Sequence, residues 1–283
     1  MLEREEYVEQ AHFFKVLLER LGQSIPLQDL MAQTKFEVLA STKLPMAIDA
    51  LLAELKHCGL MGNGMRLLEH YFVKFQTFLV SEAELDSGKF DYRTALRILS
   101  AESSYRSKET LNPQGLFFFQ FEAVSRNRLN YDRGLLAMSE DPVYSPEWRE
   151  WILIVRRQLG IIDLADLIYV RSQYYLDRKS RFADVDPEAP VLFGLAEGKI
   201  AFANRRKDPL FLFSAMQRHL DYPAVPRLDP IDPIPTIVPQ LQRRIERLES
   251  RLKLMEEEQQ GGIDITKFYQ GGKIPPPGDD LLR

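Results

Sequence analysis

Two Glu-x-x-His pairs in this sequence have the composition of a metal-binding site. Glu9 precedes His12 by three positions, and Glu54 precedes His57 by the same interval. On a helix this spacing places a carboxylate and an imidazole one turn apart, as on two helices of ferritin-like di-metal carboxylate proteins. Ligands in such a bundle must project inward. The helical projection instead places Glu9, His12 and His57 away from the apolar faces, with Glu54 at an edge, so we expect exposed surface pairs and no cofactor.

A second candidate chemistry is the binding of phosphate or single-stranded nucleic acid. Three arginines, Arg126, Arg128 and Arg133, lie close to Tyr131 in the sequence, and residues 205–207 form an Arg-Arg-Lys run. Basic residues beside an aromatic ring are typical of such sites. The net charge of −4 argues against this function, because residues 1–220 hold 28 basic against 30 acidic residues and residues 221–283 hold 9 against 11. A solvated helix face is the favoured interpretation, and a nucleic-acid adaptor ranks third.

The sequence contains no recognisable motif for nucleophilic catalysis. No Ser, Cys or Asp stands at a spacing that marks it as activated, so the sequence favours a non-enzyme. Cys58 is the only cysteine, which excludes an intramolecular disulfide and a cysteine-rich zinc site. The acidic N-terminus differs from a secretory signal, and no apolar run reaches 18 residues, so we expect a cytoplasmic protein without a membrane partner.

The elements that would position these residues are predicted to be helices. Apolar residues recur at helical spacing through residues 1–220, and no alternating run is long enough to predict a strand. The helix after Asn112-Pro113 is apolar nearly all round, so it should lie at the centre of the domain. The Gly-rich segment 59–64 is read as a turn. The predicted helices cover residues 7–21, 26–40, 48–58, 67–84, 92–101, 113–138, 146–159, 164–168 and 209–220.

The composition changes after Leu220. Six prolines between Pro223 and Pro239 predict an extended Pro-rich linker at 221–238. A helix should follow at 239–260, and the Gly261-Gly262 pair should end it. Residues 261–283 are predicted to be a flexible, disordered tail. The predicted architecture is therefore an all-α globular head at 1–220, a linker, a short C-terminal coiled coil and a tail.

The predicted 239–260 helix carries a coiled-coil seam. Its apolar positions are spaced 4, 3, 4 and 3, which is the a/d rhythm of a coiled coil. Position a holds Ile245 and Leu252, and position d holds Leu241, Leu248 and Met255. The alternatives are a helix that folds back onto its own domain and a solvated single helix, because two and a half heptads are few.

Charges beside the seam predict its orientation. Arg244 and Arg251 occupy g positions, and Glu249 and Glu256 occupy e positions. In a parallel oligomer each g residue faces the e residue five positions later on its neighbour, so both pairs attract, whereas an antiparallel pair would oppose like charges. We expect a parallel homo-oligomer, with dimer and trimer left open.

The tail contains one short apolar island between two Gly-Gly pairs. Residues 263–269 hold Ile263, Ile265, Phe268 and Tyr269. Such an island could be a docking peptide that orders on an unknown protein partner, or it could pack on its own domain or oligomer.

Four segments, at residues 3–14, 43–48, 121–134 and 197–204, resemble those of an uncharacterised bacterial helical family. The resemblance spans most of residues 1–220 and part of the tail. It implies no activity, cofactor or catalytic residue. The first hypothesis from the sequence is therefore a non-enzymatic oligomeric scaffold or adaptor, and the alternative is a ferritin-like carboxylate/histidine metal-binding protein or enzyme.

Overall fold

Helices make up nearly all the regular structure of the residues that the structure describes. The computed structural model describes residues 2–21, 25–85, 90–180 and 190–227, and the all-α prediction is confirmed for them: they contain two isolated β-bridges and no strand. The described residues belong to a first unit that spans residues 1–228, and residues 228–283 lie outside the described part. The helices are α1 (Arg4–Arg20), α2 (Leu27–Thr34), α3 (Leu44–Cys58), α4 (Met61–Leu67), α5 (Lys74–Ala83), α6 (Tyr92–Arg106), α7 (Pro113–Arg126), α8 (Tyr131–Ser139), α9 (Pro146–Gln158), α10 (Leu164–Val170), α11 (Gln173–Ser180), α12 (Leu195–Ala203) and α13 (Pro209–Leu220).

Four helices begin where capping residues predicted them. Asn112, Ser145 and Asp208 cap α7, α9 and α13, each followed by a proline at the first helical position. Asp163 caps α10 by accepting a hydrogen bond from the Ala165 backbone N–H at 3.1 Å. A side-chain oxygen at this position satisfies a backbone donor that the helix itself leaves unpaired, and proline there loses no helical hydrogen bond.

The segment 59–64 is not the turn that its glycines predicted. Gly59 ends α3 in the left-handed conformation, with φ of 76°, and α4 begins only two residues later at Met61. Glu84 caps α4, since its carboxylate accepts from the backbone N–H of Met61 at 2.6 Å and of Gly62 at 3.0 Å. Burial raises the pKa of Glu84, while these two hydrogen bonds lower it. A distant carboxylate therefore decides the local structure here.

The predicted continuous helix to Met138 is broken into α7 and α8. The Asn127 side chain donates to the Ala123 carbonyl at 3.0 Å, and Arg128 takes a left-handed conformation with φ of 54°. Asn130 then caps α8 through the backbone N–H of Arg133. Asparagine side chains compete with helical hydrogen bonds in this way, so two of them outweigh the apolar periodicity. Helices α11 and α12 were not predicted.

Helix α7 lies at the centre of an aromatic core, as its composition predicted. Phe117, Phe118 and Phe119 are fully buried. Phe117 contacts Trp151 with ring centroids 4.8 Å apart, and Phe118 stacks on Tyr222 at 6.3 Å. The packing of α7 against α6, α8 and α13 supplies the remaining cover. An all-round apolar helix is stable only when every side is covered.

The helical unit extends beyond the boundary predicted at Leu220. Tyr222 and Val225 are buried, and the Tyr222 hydroxyl donates a hydrogen bond to the Glu122 carboxylate at 2.8 Å. The Asn127 side chain also donates to the Pro226 carbonyl at 3.1 Å. Residues 221–227 are non-helical, as their prolines predicted, but they pack on the core instead of leaving it.

A buried ionic network joins α6, α7 and the turn before α9. The fully buried Arg106 pairs with Asp141 and with Glu102, the latter at 2.9 Å. Gln120 donates to Glu102 at 2.8 Å and accepts from the Tyr144 hydroxyl at 2.9 Å. Burial alone would lower the pKa of Arg106, but the two carboxylates raise it above its ordinary value. Such a network fixes how the helices fit together, because each group requires its partners.

We predict that Arg106→Met destabilises the fold by about 3–5 kcal/mol, because it leaves two buried carboxylates without their cation. Urea unfolding followed by circular dichroism measures the change. Arg157→Met removes an exposed arginine and should cost no more than about 0.5 kcal/mol. Equal stability of the two variants would show that the network is not structural.

Candidate functional site: an apolar groove beside α7

An open groove of about 560 Å³ lies where α7, α8, α9, α10 and α13 meet. Cavities of this size, lined mainly by apolar side chains with a few polar groups, are typical of binding sites. We use the name groove for the cavity lined by Phe121, Ser125, Tyr131, Asp132, Arg156, Leu159, Gly160, Ile162, Asp163, Leu164, Pro209 and Phe213.

The floor of the groove is formed by the rings of Phe121 and Phe213, and its exposed edge, which we call the lip, holds Tyr131 and Ile162. Phe121 lies between Phe213 and Tyr131, with ring centroids 5.9 Å and 6.1 Å away. Phe121 and Phe213 are buried, whereas Tyr131 is 37% exposed and Ile162 is 38% exposed. The groove therefore offers apolar surface to a binding partner without any rearrangement of the core.

Further exposed apolar residues continue directly from the groove in the chain. Ile161, between two lining residues, is 83% exposed, and Phe211, two residues after Pro209, is 63% exposed. Leu210 is exposed as well. Single exposed apolar residues are ordinary, but a run of them around a cavity marks an interaction site.

A glycine turn and a capping aspartate shape the end of the groove. After α9, Gly160 takes φ of 86°, which lets the chain reverse toward α10. Asp163 caps α10 with one carboxylate oxygen and accepts from the Arg206 backbone N–H with the other, at 2.6 Å. This second bond ties the start of α10 to the loop before α13, so the two walls are held in register.

A two-bond ion pair stands at the rim. Arg156 donates from Nε to Asp132 Oδ1 at 2.7 Å and from Nη2 to Oδ2 at 2.8 Å. This hydrogen bonding lowers the pKa of Asp132 and raises the pKa of Arg156. Because both groups face solvent, the pair contributes little to stability. It orients α8 relative to α9 and leaves a polar edge beside the apolar floor.

The structure places the four residues considered as metal ligands in three different environments. His12 and His57 are exposed and Glu54 is half-buried. Glu9, predicted to be exposed, is instead buried and accepts from the Leu39 backbone N–H at 2.8 Å. That prediction was wrong because the segment 35–43 packs over this side of α1. Across the described residues, no three His, Cys, Asp or Glu side chains are grouped to hold a metal ion.

Three of the basic residues considered for phosphate binding contact acidic side chains of the same unit. Arg126 pairs with Glu122, and Arg205 pairs with Asp166. Arg133 lies 3.1 Å from Glu82, at an angle unsuited to a hydrogen bond. These pairs fit the solvated or internally paired face that the near-neutral charge favoured.

The seam and the tail peptide lie outside the described residues. This applies to the seam positions and their flanking charges, Leu241, Ile245, Leu248, Leu252, Met255, Arg244, Glu249, Arg251 and Glu256. It also applies to Ile263, Ile265, Phe268 and Tyr269 of the tail.

Comparisons with known proteins give no match, whether with family models, with curated proteins or with solved structures. None of the helices in the described ranges has the length and apolar character needed to cross a membrane. What can be concluded about this all-helical unit and its groove therefore depends on their geometry.

The groove was not predicted from the sequence, although one signal for it exists. Its floor residue Phe121 belongs to the helix predicted to be central, but its walls come from residues that lie up to 92 positions away in the chain. The local signal is the Gly160-Ile161-Ile162 run, since two isoleucines in a turn have no core to enter. An apolar turn of this kind indicates contact with something else.

We predict that the lip of the groove is dispensable for folding and that its floor is not. Ile162→Arg should change the free energy of unfolding by no more than about 0.5 kcal/mol, because this side chain is partly exposed. Phe213→Ala should cost about 3–5 kcal/mol, because it removes a buried ring. Chemical denaturation measures both, and a large loss with Ile162→Arg would show that the lip is part of the core.

Proposed function

We propose that this protein is a non-enzymatic adaptor or scaffold that holds a partner protein in the groove. The observation that carries the proposal is the groove itself, in which the partly exposed Tyr131 and Ile162 lie beside an aromatic floor of buried Phe121 and Phe213. Large apolar side chains in a concave, desolvated pocket are the features that dominate binding energy at protein interfaces. The partner we expect presents a large aliphatic or aromatic anchor to this floor.

Buried acidic groups support a binding role over a catalytic one. Glu6 accepts from the Lys43 backbone N–H and from the Tyr71 hydroxyl, both at 2.8 Å. Glu9, Glu84 and Glu122 likewise accept from backbone or tyrosine donors. These carboxylates serve the fold, each by completing a turn, a helix start or a chain crossing.

The adaptor would act as a parallel homo-oligomer formed through the seam. The charges at Arg244, Glu249, Arg251 and Glu256 support this orientation, as the sequence pattern indicates. Several copies on one assembly would present several grooves, so a multivalent partner would be held more tightly than one groove allows. The island at 263–269 is a second proposed docking element, and the single cysteine is consistent with a cytoplasmic location.

We predict that Ile245→Asp or Leu248→Asp in the full chain converts the oligomer to a monomer, because each places a charge in every copy of the apolar seam. Light scattering coupled to size exclusion measures the mass. Ser250→Asp is the matched control, since position f points away from the seam. An unchanged oligomeric mass in both seam variants would remove the seam from the proposal.

The groove is tested separately by crosslinking in cells. We predict that a photoreactive phenylalanine at Ile161 forms an adduct with one defined partner, and that Ile162→Arg reduces that adduct at least about tenfold. The same photoreactive residue at Lys56, an exposed position of α3, is the control. If adducts at Ile161 are absent, or match those at Lys56 and survive Ile162→Arg, the groove is not an interaction site.

A further inference from the structure

A second cavity, of about 430 Å³, differs from the groove in being rich in tyrosine and acidic side chains. It is bounded by the start of α1, the turn before α5 and the turn after α8. We call it the tyrosine cavity, and it is lined by Leu2, Tyr7, Glu69, His70, Tyr71, Val73, Lys74, Glu140 and Pro142.

Two buried tyrosines form the inner wall. Tyr7 is only 2% exposed and Tyr71 only 3%. The Tyr71 hydroxyl donates to Glu6 at 2.8 Å. The Tyr7 hydroxyl accepts a hydrogen bond from the Leu2 backbone N–H at 3.4 Å. No group among the described residues accepts the hydrogen bond that this hydroxyl can itself donate. A buried hydroxyl that lines a cavity with its donor unused indicates a missing acceptor there.

The charges around the tyrosine cavity are predominantly negative. Glu69 and Glu140 stand at its mouth, and Lys74 pairs with Glu69. Behind Tyr7, the Arg106 guanidinium lies 5.9 Å from the ring centroid and is shared between two carboxylates. The groups that line the cavity and those packed behind its two tyrosines together comprise five carboxylates and two cations, Lys74 and Arg106. The five are Glu6, Glu69, Glu102, Glu140 and Asp141.

We propose that the tyrosine cavity binds a small organic cation, an alkylammonium group with an acceptor oxygen a few atoms away. The negative charges attract the cation. The oxygen would take the unused Tyr7 proton. The cavity is far larger than a metal ion requires, and the apolar side chains of Leu2, Val73 and Pro142 in its lining suit a methylated or alkyl group. An anion is disfavoured, because Lys74 is already paired with Glu69.

Choline is the test probe, because it combines a quaternary ammonium with a hydroxyl. Tetramethylammonium lacks the oxygen, and acetate is the anionic control. Calorimetric titration of the full chain should give saturable choline binding with a Kd of about 1 mM or tighter, and no acetate binding. An absence of saturation by choline at about 10 mM, or equal binding of acetate, would overturn the proposal.

Three variants locate the binding. Glu140→Gln should weaken choline and tetramethylammonium binding at least about fivefold, because it removes an acid at the mouth. Glu150→Gln, an exposed acid on α9, should change neither. Tyr7→Phe keeps the ring and should weaken choline while leaving tetramethylammonium unchanged. Equal effects of Glu140→Gln and Glu150→Gln would place the cation elsewhere, and equal loss of both probes in Tyr7→Phe would contradict the role of the hydroxyl. Far-ultraviolet circular dichroism confirms that each variant is folded.

Discussion

Helix α7 must be covered on every side, and the other helices are arranged around it. Its phenylalanines point around most of its circumference, so a single neighbouring helix cannot bury them. Helices α6, α8 and α13 pack against it, and Trp148 and Trp151 reach it from α9. The groove opens beside this helix, where the buried Phe121 contacts the rings of Tyr131 and Phe213. The aromatic core and the groove therefore both depend on α7.

Polar groups then specify which of many apolar packings is adopted. Hydrophobic burial is non-directional, so it would tolerate several arrangements of short helices. The pairing of Arg106 with Glu102 and Asp141 permits one, because a shifted helix would leave charge buried without its partner. Glu6, Glu9 and Glu84 act in the same way on nearby backbone donors. The buried carboxylates of this protein are in effect attachment points for its turns.

The sequence predicts local features well and distant partnerships poorly. Asn112, Ser145, Asp163 and Asp208 start helices because a cap acts within three residues of itself. The exposure predicted for Glu9 fails because its partner, the Leu39 backbone, is 30 residues away. The helix at 61–67 was missed for the same reason, since Glu84 supplies its cap from 22 to 23 residues away.

The candidate sites follow the same division. The coiled-coil seam can be recognised in the sequence because its residues recur within one helix, and it remains a prediction here. The groove and the tyrosine cavity cannot be recognised in the sequence, because each is lined by side chains from several helices that only the fold brings together. A buried aromatic such as Phe121 looks the same in sequence whether one of its edges meets another ring or an open cavity.

Amide hydrogen exchange on the full chain, with and without the partner captured at Ile161, would show whether the groove is the protein-binding surface. The account predicts slower exchange in the 159–164 turn and at the start of α13, with the surface of α3 unchanged. Protection confined to α3, or spread evenly over the helical unit, would contradict it.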